Sequence, residues 1–142
     1  MRVQTNENGM LVKTFGIKNI DLPLYARVCA YAVVRGEAGL VAAVLDGDKL
    51  FLPGGGIEAG ESAEDAVRRE VAEELGLAVQ LGECLGETLQ YSLYFGTCYE
   101  LRATFFGAEL GERVREEHEH ELIWVRAEEL HHPCQAWAAG ER

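Results

Sequence analysis

The pattern of apolar and polar positions divides the chain into strand-like segments and one well-delimited amphipathic helix. Residues 25–35 alternate and then become continuously apolar, and residues 40–45 are apolar throughout, which is typical of buried strands. Asp46-Gly47-Asp48 follows this second segment and predicts a hairpin turn. The remaining predictions are strands at 78–85, 88–94, 97–106 and 122–125, a charged loop over 110–121, a turn at 127–130 and a short helix from Pro133 through Ala139. Strands accompanied by two helices predict an α/β fold, a layered sandwich around a mixed sheet.

The central helix is predicted over residues 63–75, between an N-cap at Ser62 and a C-terminal glycine at Gly76. At about 100° per residue, the alanines, valines and leucine of this segment form one continuous apolar arc. Glu70 and Glu74 fall inside that arc, and Glu73 lies at its border. The helix therefore directs two carboxylates toward the core.

Carboxylates on the core-facing side of a helix are costly to bury unless another group compensates their charge. A divalent cation would do so, and ligands that offer only oxygen suit magnesium or manganese better than zinc. The competing interpretation is a solvated helix face with i,i+4 ion pairs, such as Arg69 with Glu73. The position of Glu70 and Glu74 among the valines favours a metal site.

A glycine-rich loop, Leu52-Pro53-Gly54-Gly55-Gly56, precedes this helix. Pro53 is expected to end the strand before it, and successive glycines allow positive φ and a close approach of the backbone to a ligand. No Gly-Lys-Ser/Thr follows, and Ala59 occupies the third glycine position of the dinucleotide-binding motif, so neither phosphate-binding motif matches. A flexible turn is the alternative interpretation of the loop.

From Gly55 to Leu77 the chain follows the pattern Gly-x5-Glu-x7-Arg-Glu-Val-x-Glu-Glu-x-Gly-Leu. This segment, 23 of 142 residues, resembles the complete signature of the Nudix hydrolases, and no constrained position departs from it. The resemblance implies a single Nudix hydrolase domain over residues 1–142, folded as an α/β/α sandwich with a central mixed β-sheet. It also implies metal-dependent hydrolysis of the pyrophosphate bond of a nucleoside diphosphate linked to another moiety.

The resemblance further implies a role for each matching residue. Glu70, Glu73 and Glu74 match the carboxylates that bind Mg²⁺ or Mn²⁺, and the carbonyl of Gly54 is expected to join the metal shell. The positions expected to orient a glutamate or support the loop–helix junction are Arg69, Glu61 and Gly55. The general base is either Glu70 or a glutamate of the later charged loop, where Glu119 or Glu117 is favoured over Glu116 and Glu121.

The substrate stays open at this stage among modified dNTPs, dinucleoside polyphosphates, ADP-ribose and nucleotide sugars. Arg27 is a candidate phosphate contact, with a surface or structural role as the alternative. Tyr94 lies 17 residues past the signature, where some dinucleoside polyphosphate hydrolases of the family carry a tyrosine. Leu93 stands where many ADP-ribose hydrolases carry a proline, which disfavours that substrate.

The charge balance limits the classes of partner that the protein can be expected to bind. Thirteen basic against 24 acidic residues give a net charge of −11, which argues against a nucleic-acid polymer or an anionic membrane. Residues 1–10 are too polar for a signal peptide, so a cytoplasmic location is expected. The resemblance is compatible with a homodimer.

The four cysteines show no C-x-x-C spacing and are predicted to be reduced and mostly buried. The histidines at 118, 120, 131 and 132 lack a zinc-binding pattern and are predicted to lie at the surface. Two rival functions remain beside the hydrolase. One is a Nudix-like domain that senses a nucleotide without cleaving it, and the other is an acidic protein-interaction domain.

Overall fold

Residues 2–140 are described by a computed structural model, and they form nine strands and two α-helices. The elements in chain order are β1 (Arg2–Thr5), β2 (Leu11–Phe15), β3 (Leu24–Val33), β4 (Val41–Asp46), β5 (Lys49–Phe51), β6 (Gly54–Gly56), α1 (Ala63–Leu75), β7 (Leu77–Tyr94), β8 (Thr97–Arg113), β9 (Leu122–Val125) and α2 (Pro133–Ala139). Single turns of 3₁₀ helix at Glu37–Gly39 and Ala127–Glu129 complete the description.

A mixed six-stranded sheet in the order β1-β2-β7-β8-β3-β6 forms the centre of the fold. The β2–β7 and β3–β8 pairs are parallel, and the other neighbours are antiparallel. A second, antiparallel sheet contains β5, β4 and β9 in that order. The predicted α/β fold with a mixed sheet is therefore confirmed, and the small second sheet is an addition to the prediction.

The two faces of β3 separate two layers of apolar packing, because successive strand residues point to opposite sides. One cluster joins alternate residues of β3 to α2 and contains Cys29, Tyr31, Val33, Cys134 and Ala138. The other joins the intervening residues to α1 and contains Ala30, Ala32, Val34, Val67, Val71 and Leu75. The central sheet is thus covered by a helix on each face.

Helix α1 has the predicted bounds because its local signals agree with its packing. The Oγ of Ser62 accepts a hydrogen bond from the N–H of Asp65 at 3.0 Å, and Gly76 ends the helix at φ 71°. Val67 and Val71 are fully buried, as the predicted apolar arc requires. This rotation about the helix axis carries Glu70 and Glu74 inward.

Three regions differ from the prediction. Strands β1 and β2 were not expected, and they form a hairpin that adds to the edge of β7. The two strands predicted at 78–85 and 88–94 are one strand, whose register shifts between Leu81 and Gly86 form bulges and not a break. The loop predicted to begin at residue 110 begins after Arg113, because β7 supplies a pairing partner as far as Leu77.

Among the described residues, no helix has both the length and the apolar character needed to cross a bilayer.

Gly54 is the glycine whose replacement should damage the fold most clearly. Its φ is +142°, and a Cβ there would lie 2.2 Å from the carbonyl oxygen of Ala30, within a paired strand that cannot retreat. We expect Gly54→Ala to cost at least about 2 kcal/mol of unfolding free energy. Gly60→Ala is the control, because Gly60 also has positive φ but has no heavy atom within 4 Å of the added methyl. Equal losses for the two variants in urea unfolding would contradict the packing argument.

Candidate active site

Arg69 joins the glycine loop to the carboxylates of helix α1. Its Nε and Nη2 donate to the two carboxylate oxygens of Glu61 at 2.7 and 3.0 Å, and Nη2 also donates to the carbonyl of Gly56 at 2.8 Å. Its Nη1 donates to Glu70 at 2.7 Å and to Glu73 at 3.4 Å. Hydrogen bonding to Arg69 lowers the pKa of Glu61. The guanidinium of Arg69 therefore connects the glycine-rich loop, the loop–helix junction at Glu61 and two carboxylates of α1.

The backbone of Gly54 faces the carboxylate of Glu74 across the open edge of β6. In the antiparallel pair of β3 and β6, the N–H of Ala32 donates to the carbonyl of Pro53, and the N–H of Ile57 donates to the carbonyl of Val28. Because hydrogen-bonded and non-hydrogen-bonded positions alternate along such a pair, Gly54 occupies a position that makes no hydrogen bond to β3. The N–H and the carbonyl of Gly54 consequently point away from β3. The N–H donates to Glu74 Oε1 at 2.9 Å, and the carbonyl lies on the same open edge.

The other two glycines of the loop make room for side chains. A Cβ on Gly55 would lie 2.9 Å from the carboxylate carbon of Glu70, and a Cβ on Gly56 would lie 3.0 Å from Nη2 of Arg27. The loop therefore brings an anionic group and a cationic group directly against its backbone. A flexible turn, the alternative interpretation, would not need these approaches.

The carboxylates raise one another's proton affinity. Burial raises the pKa of Glu74 to about 8, and the charges of Glu70, Glu119 and Glu73 add to the rise while the N–H of Gly54 opposes it. Burial also raises the pKa of Glu70, against the opposing effect of Arg69. Glu74 has only 9% of its surface exposed. A negative charge at this position is therefore strongly disfavoured unless a cation approaches.

The charged loop brings Glu119 to the site and leaves Glu117 outside it. The N–H groups of Glu119 and His120 donate to the carbonyls of Glu73 and Glu74 at 3.0 and 2.8 Å, which attaches the loop to the end of α1. Glu119 lines the same pocket as Glu70 and Glu74 and raises the pKa of both. Glu117 does not line this pocket and borders a neighbouring groove, which Glu73 and Glu119 also line.

The pocket that contains these groups has a volume of about 440 Å³ and spans both layers of the fold. Seven of the lining residues had no predicted role there, and they are Tyr31, Val44, Asp46, Phe51, His120, His132 and Gln135. His131 is exposed, as predicted for all four histidines, and the other three are half-buried. His120 and His132 line the pocket, because strand β5, the loop and helix α2 converge there. Their sequence spacing carries no metal-binding pattern, so only the tertiary structure reveals them.

The structure separates the two weaker candidates. Arg27 lines the pocket. Tyr94 lies at the end of the β7–β8 hairpin with 62% of its surface exposed, packed against Phe95 and Tyr99 and not among the pocket-lining residues. A larger concavity of about 710 Å³ lies against β2 and β7 and includes none of the signature residues.

The donor atoms of the pocket suit a hard cation, but their hydrogen bonds hold them apart. Within residues 2–140, no three His, Cys, Asp or Glu side chains are close enough together to hold a metal ion. The reason is visible in the contacts, since Arg69 holds Glu70 and Glu73 while Gly54 holds Glu74.

Comparison with known proteins identifies the family. A model of the NUDIX domain matches residues 26–141. The chain is 40% identical over 111 residues to a Mycobacterium tuberculosis protein named "Putative 8-oxo-dGTP diphosphatase 2", covering 73% of this chain and 75% of that protein. It also resembles the solved structure of a NUDIX hydrolase from Nitrosomonas europaea, with a TM-score of 0.66 and 20% identity, covering 80% of this chain and 86% of that chain. A second solved structure, the MutT NUDIX hydrolase from Burkholderia pseudomallei, matches with a TM-score of 0.62 and 25% identity, covering 81% of this chain and 96% of that chain. The chain therefore belongs to the NUDIX family, and the predicted enzyme class, a pyrophosphohydrolase, is confirmed.

The raised pKa of Glu74 predicts how the metal-free protein responds to pH. The unfolded chain releases this proton near pH 4.5, whereas the folded protein retains it to about pH 8. Retention of this proton by Glu74 therefore stabilises the folded state fully below pH 4.5, and this stabilisation is lost as the pH rises toward 8. Glu74→Gln removes the titration and keeps an oxygen for the N–H of Gly54, so in EDTA its melting temperature should fall less than that of the wild type between about pH 5.5 and 8.5.

The matched control is Glu109→Gln, which alters an exposed glutamate of β8. Its melting temperature should follow the wild-type pH profile. Scanning calorimetry across this range checks both expectations, and parallel profiles for the wild type and Glu74→Gln would contradict the assigned proton affinity.

Proposed function

We propose that the protein hydrolyses the pyrophosphate bond of a nucleoside diphosphate linked to another moiety, with Mg²⁺ or Mn²⁺ held by Glu70, Glu73, Glu74 and the carbonyl of Gly54. The observation that supports this most directly is the buried carboxylate of Glu74, which faces other carboxylates and has no cationic partner among the described residues. A protein fold gains nothing in stability from such a group. A hard cation would compensate its charge, and every proposed ligand atom is an oxygen.

The bound cation would neutralise charge on the phosphate oxygens and activate the attacking water. The residues of the chain then have separate tasks. Glu119 accepts a proton from the attacking water, and the oxygen of that water forms a bond to phosphorus. At the same time, the bond between this phosphorus and the bridging oxygen breaks. The bridging oxygen leaves with the second phosphate. Attachment of the loop to the end of α1 supports this role for Glu119 over Glu117.

Arg27 is the proposed phosphate contact. Its guanidinium lies against Gly56 in the pocket wall, and no carboxylate within residues 2–140 forms an ion pair with it. In contrast, Arg69 is occupied by several carboxylates. An arginine without an ion-pair partner beside a carboxylate site is suited to a polyphosphate oxygen.

The name of the mycobacterial relative, which refers to 8-oxo-dGTP, supports testing nucleoside triphosphates first. We propose a nucleoside triphosphate, either modified or ordinary, as the substrate class. ADP-ribose, dinucleoside polyphosphates and nucleotide sugars complete the panel.

Magnesium dependence separates hydrolysis from binding alone. We expect millimolar Mg²⁺ to raise the melting temperature, because preferential binding to the folded state stabilises it, and to support nucleotide turnover. Glu74→Gln should lose both effects. Calorimetry and detection of released phosphate or pyrophosphate measure them. Full turnover by Glu74→Gln would refute the ligand assignment, and nucleotide binding without turnover by the wild type would refute hydrolysis.

The assignment of the base predicts different outcomes for two glutamates of one loop. Glu119→Gln should lower kcat by about 10²- to 10⁴-fold, the usual contribution of a positioned general base. Glu117→Gln changes the same charge outside the pocket and should retain kcat within about twofold of the wild type. Steady-state kinetics at saturating Mg²⁺ test this pair. Equal effects of the two substitutions would show that the loop acts only through its charge.

A further inference from the structure

The face of the central sheet that packs against α1 is covered along only part of its length. On β3, Ala30 and Ala32 are fully buried beneath the helix, whereas Leu24 and Val28, which point to the same side, remain exposed. Helix α1 has 13 residues and is about 20 Å long, while the ten residues of β3 extend about 33 Å. One end of this sheet face therefore stays open to solvent.

The uncovered region, which we call the open sheet face, extends over four neighbouring strands. The strand register places its residues side by side, and they are Val12, Thr14, Leu24, Ala26, Val28, Leu89, Tyr91, Leu93, Glu100 and Arg102. Most of these side chains are apolar. The concavity of about 710 Å³ against β2 and β7 lies on this face, because Val12, Leu89 and Tyr91 line it.

The loop after β2 holds an isoleucine in water beside this concavity. Ile17 is 87% exposed and lies at the rim. The preceding residue, Gly16, has φ +78°, and a Cβ there would overlap the carbonyl oxygen of Tyr91, so the loop is set directly against β7. The surface thus carries an apolar projection and an apolar concavity next to each other, and burial of both would be favourable.

The polar groups of the open sheet face are already paired within the chain. The hydroxyl of Tyr91 donates to Glu100 at 3.0 Å, and Arg102 lies 3.7 Å from Glu87, which also accepts a hydrogen bond from Asn6 at 3.2 Å. Each carboxylate therefore has a donor. A partner that covers this face needs to supply apolar surface and no compensating charge.

The charge of the face favours a second copy of the chain as that partner. Its two carboxylates, Glu87 and Glu100, are balanced by Arg102 and by Lys18 at the rim of the concavity. The chain as a whole carries −11, so two copies that meet through other surfaces repel each other, whereas this neutral face allows their approach. A two-fold axis would place the same apolar surface on both sides of the contact.

The size of the open sheet face predicts a weak dimer. Four strands and the five residues from Leu89 to Leu93 span roughly 19 Å by 17 Å, and the loop with Ile17 extends this area. A standard interface takes about 800 Å² from each partner, which is more than the sheet part alone provides. An exposed apolar patch of a few hundred Å² is nevertheless typical of an interaction site.

We propose that the open sheet face is a two-fold interface between two copies of this chain, in which Ile17 of each copy enters the concavity of the other. The candidate active site stays accessible in such a dimer, because Arg27 and Tyr31, which line its pocket, point to the opposite side of β3. The inference is therefore independent of the proposed hydrolysis.

Sedimentation velocity over about 1 to 100 μM protein tests the interface. We expect the wild-type mass to rise with concentration from 15.7 kDa toward twice that value. Ile17→Lys should raise the dimer Kd at least about tenfold, because an ammonium group would enter an apolar concavity, and Leu93→Lys tests the same face on β7. The matched control is Val114→Lys, which makes the same charge change at a similarly exposed apolar position outside the face and should dimerise like the wild type.

Each outcome decides the inference. A wild type that stays monomeric throughout would overturn it, and flotation with neutral phosphatidylcholine vesicles would then show whether lipid covers the face instead. Dimerisation that persists unchanged in both Ile17→Lys and Leu93→Lys would also overturn it, since the contact would use another surface. Equal weakening by Val114→Lys would overturn it as well, because charge alone would then control association.

Hydrogen exchange of the wild type decides the inference if the lysine variants do not fold, as judged by their melting temperatures. The amides of residues 16–20 should exchange more slowly at the high protein concentration than at the low one, because the dimer covers this loop. Equal exchange at the two concentrations would contradict the proposed interface.

Discussion

The carboxylate of Glu74, buried against the open edge of β6, is the constraint on which the rest of the site depends. To reach this position, Glu74 must lie on the apolar arc of α1, where Val67 and Val71 pack against the sheet. The strand edge must offer an N–H that no other strand uses, and Gly54 offers one by adopting a φ that other residues rarely take. Helix rotation, strand register and loop composition are therefore linked through one hydrogen bond of 2.9 Å.

The helix and the signature could be predicted because their determinants are local. Ser62 and Gly76 cap the helix with groups adjacent in sequence, and the 3.6-residue period alone assigns Glu74 to the inner face. The strand interrupted by bulges could not be predicted, because Gly86 resembles a break until pairing with β8 spans it. The hairpin of β1 and β2 depends in the same way on the edge that β7 offers.

The difference between Glu117 and Glu119 illustrates the same limit at the level of the site. The two residues are alike in type, and both lie in a charged segment, so composition and spacing cannot separate them. Two backbone hydrogen bonds from residues 119 and 120 to the last turn of α1 make the distinction. The place of Gln135 in the pocket is hidden for a similar reason, since it depends on the burial of α2 and on the hydrogen bond that Oε1 of Gln135 accepts from the N–H of Leu52.

The charges of the site also explain why its acidic groups do not simply repel one another. Without a cation, Arg69 compensates Glu61 and Glu70, while Glu74 lowers its own charge by retaining a proton. In the proposed function a cation replaces that proton, so we expect metal affinity to increase with pH through the pKa of Glu74. A polyphosphate approaching the uncompensated carboxylates would be repelled, whereas Arg27, the proposed phosphate contact on the other side of the glycine loop, would attract it. In the proposed function, substrate binding and cation binding would therefore be coupled, because each would reduce the electrostatic repulsion that the other meets.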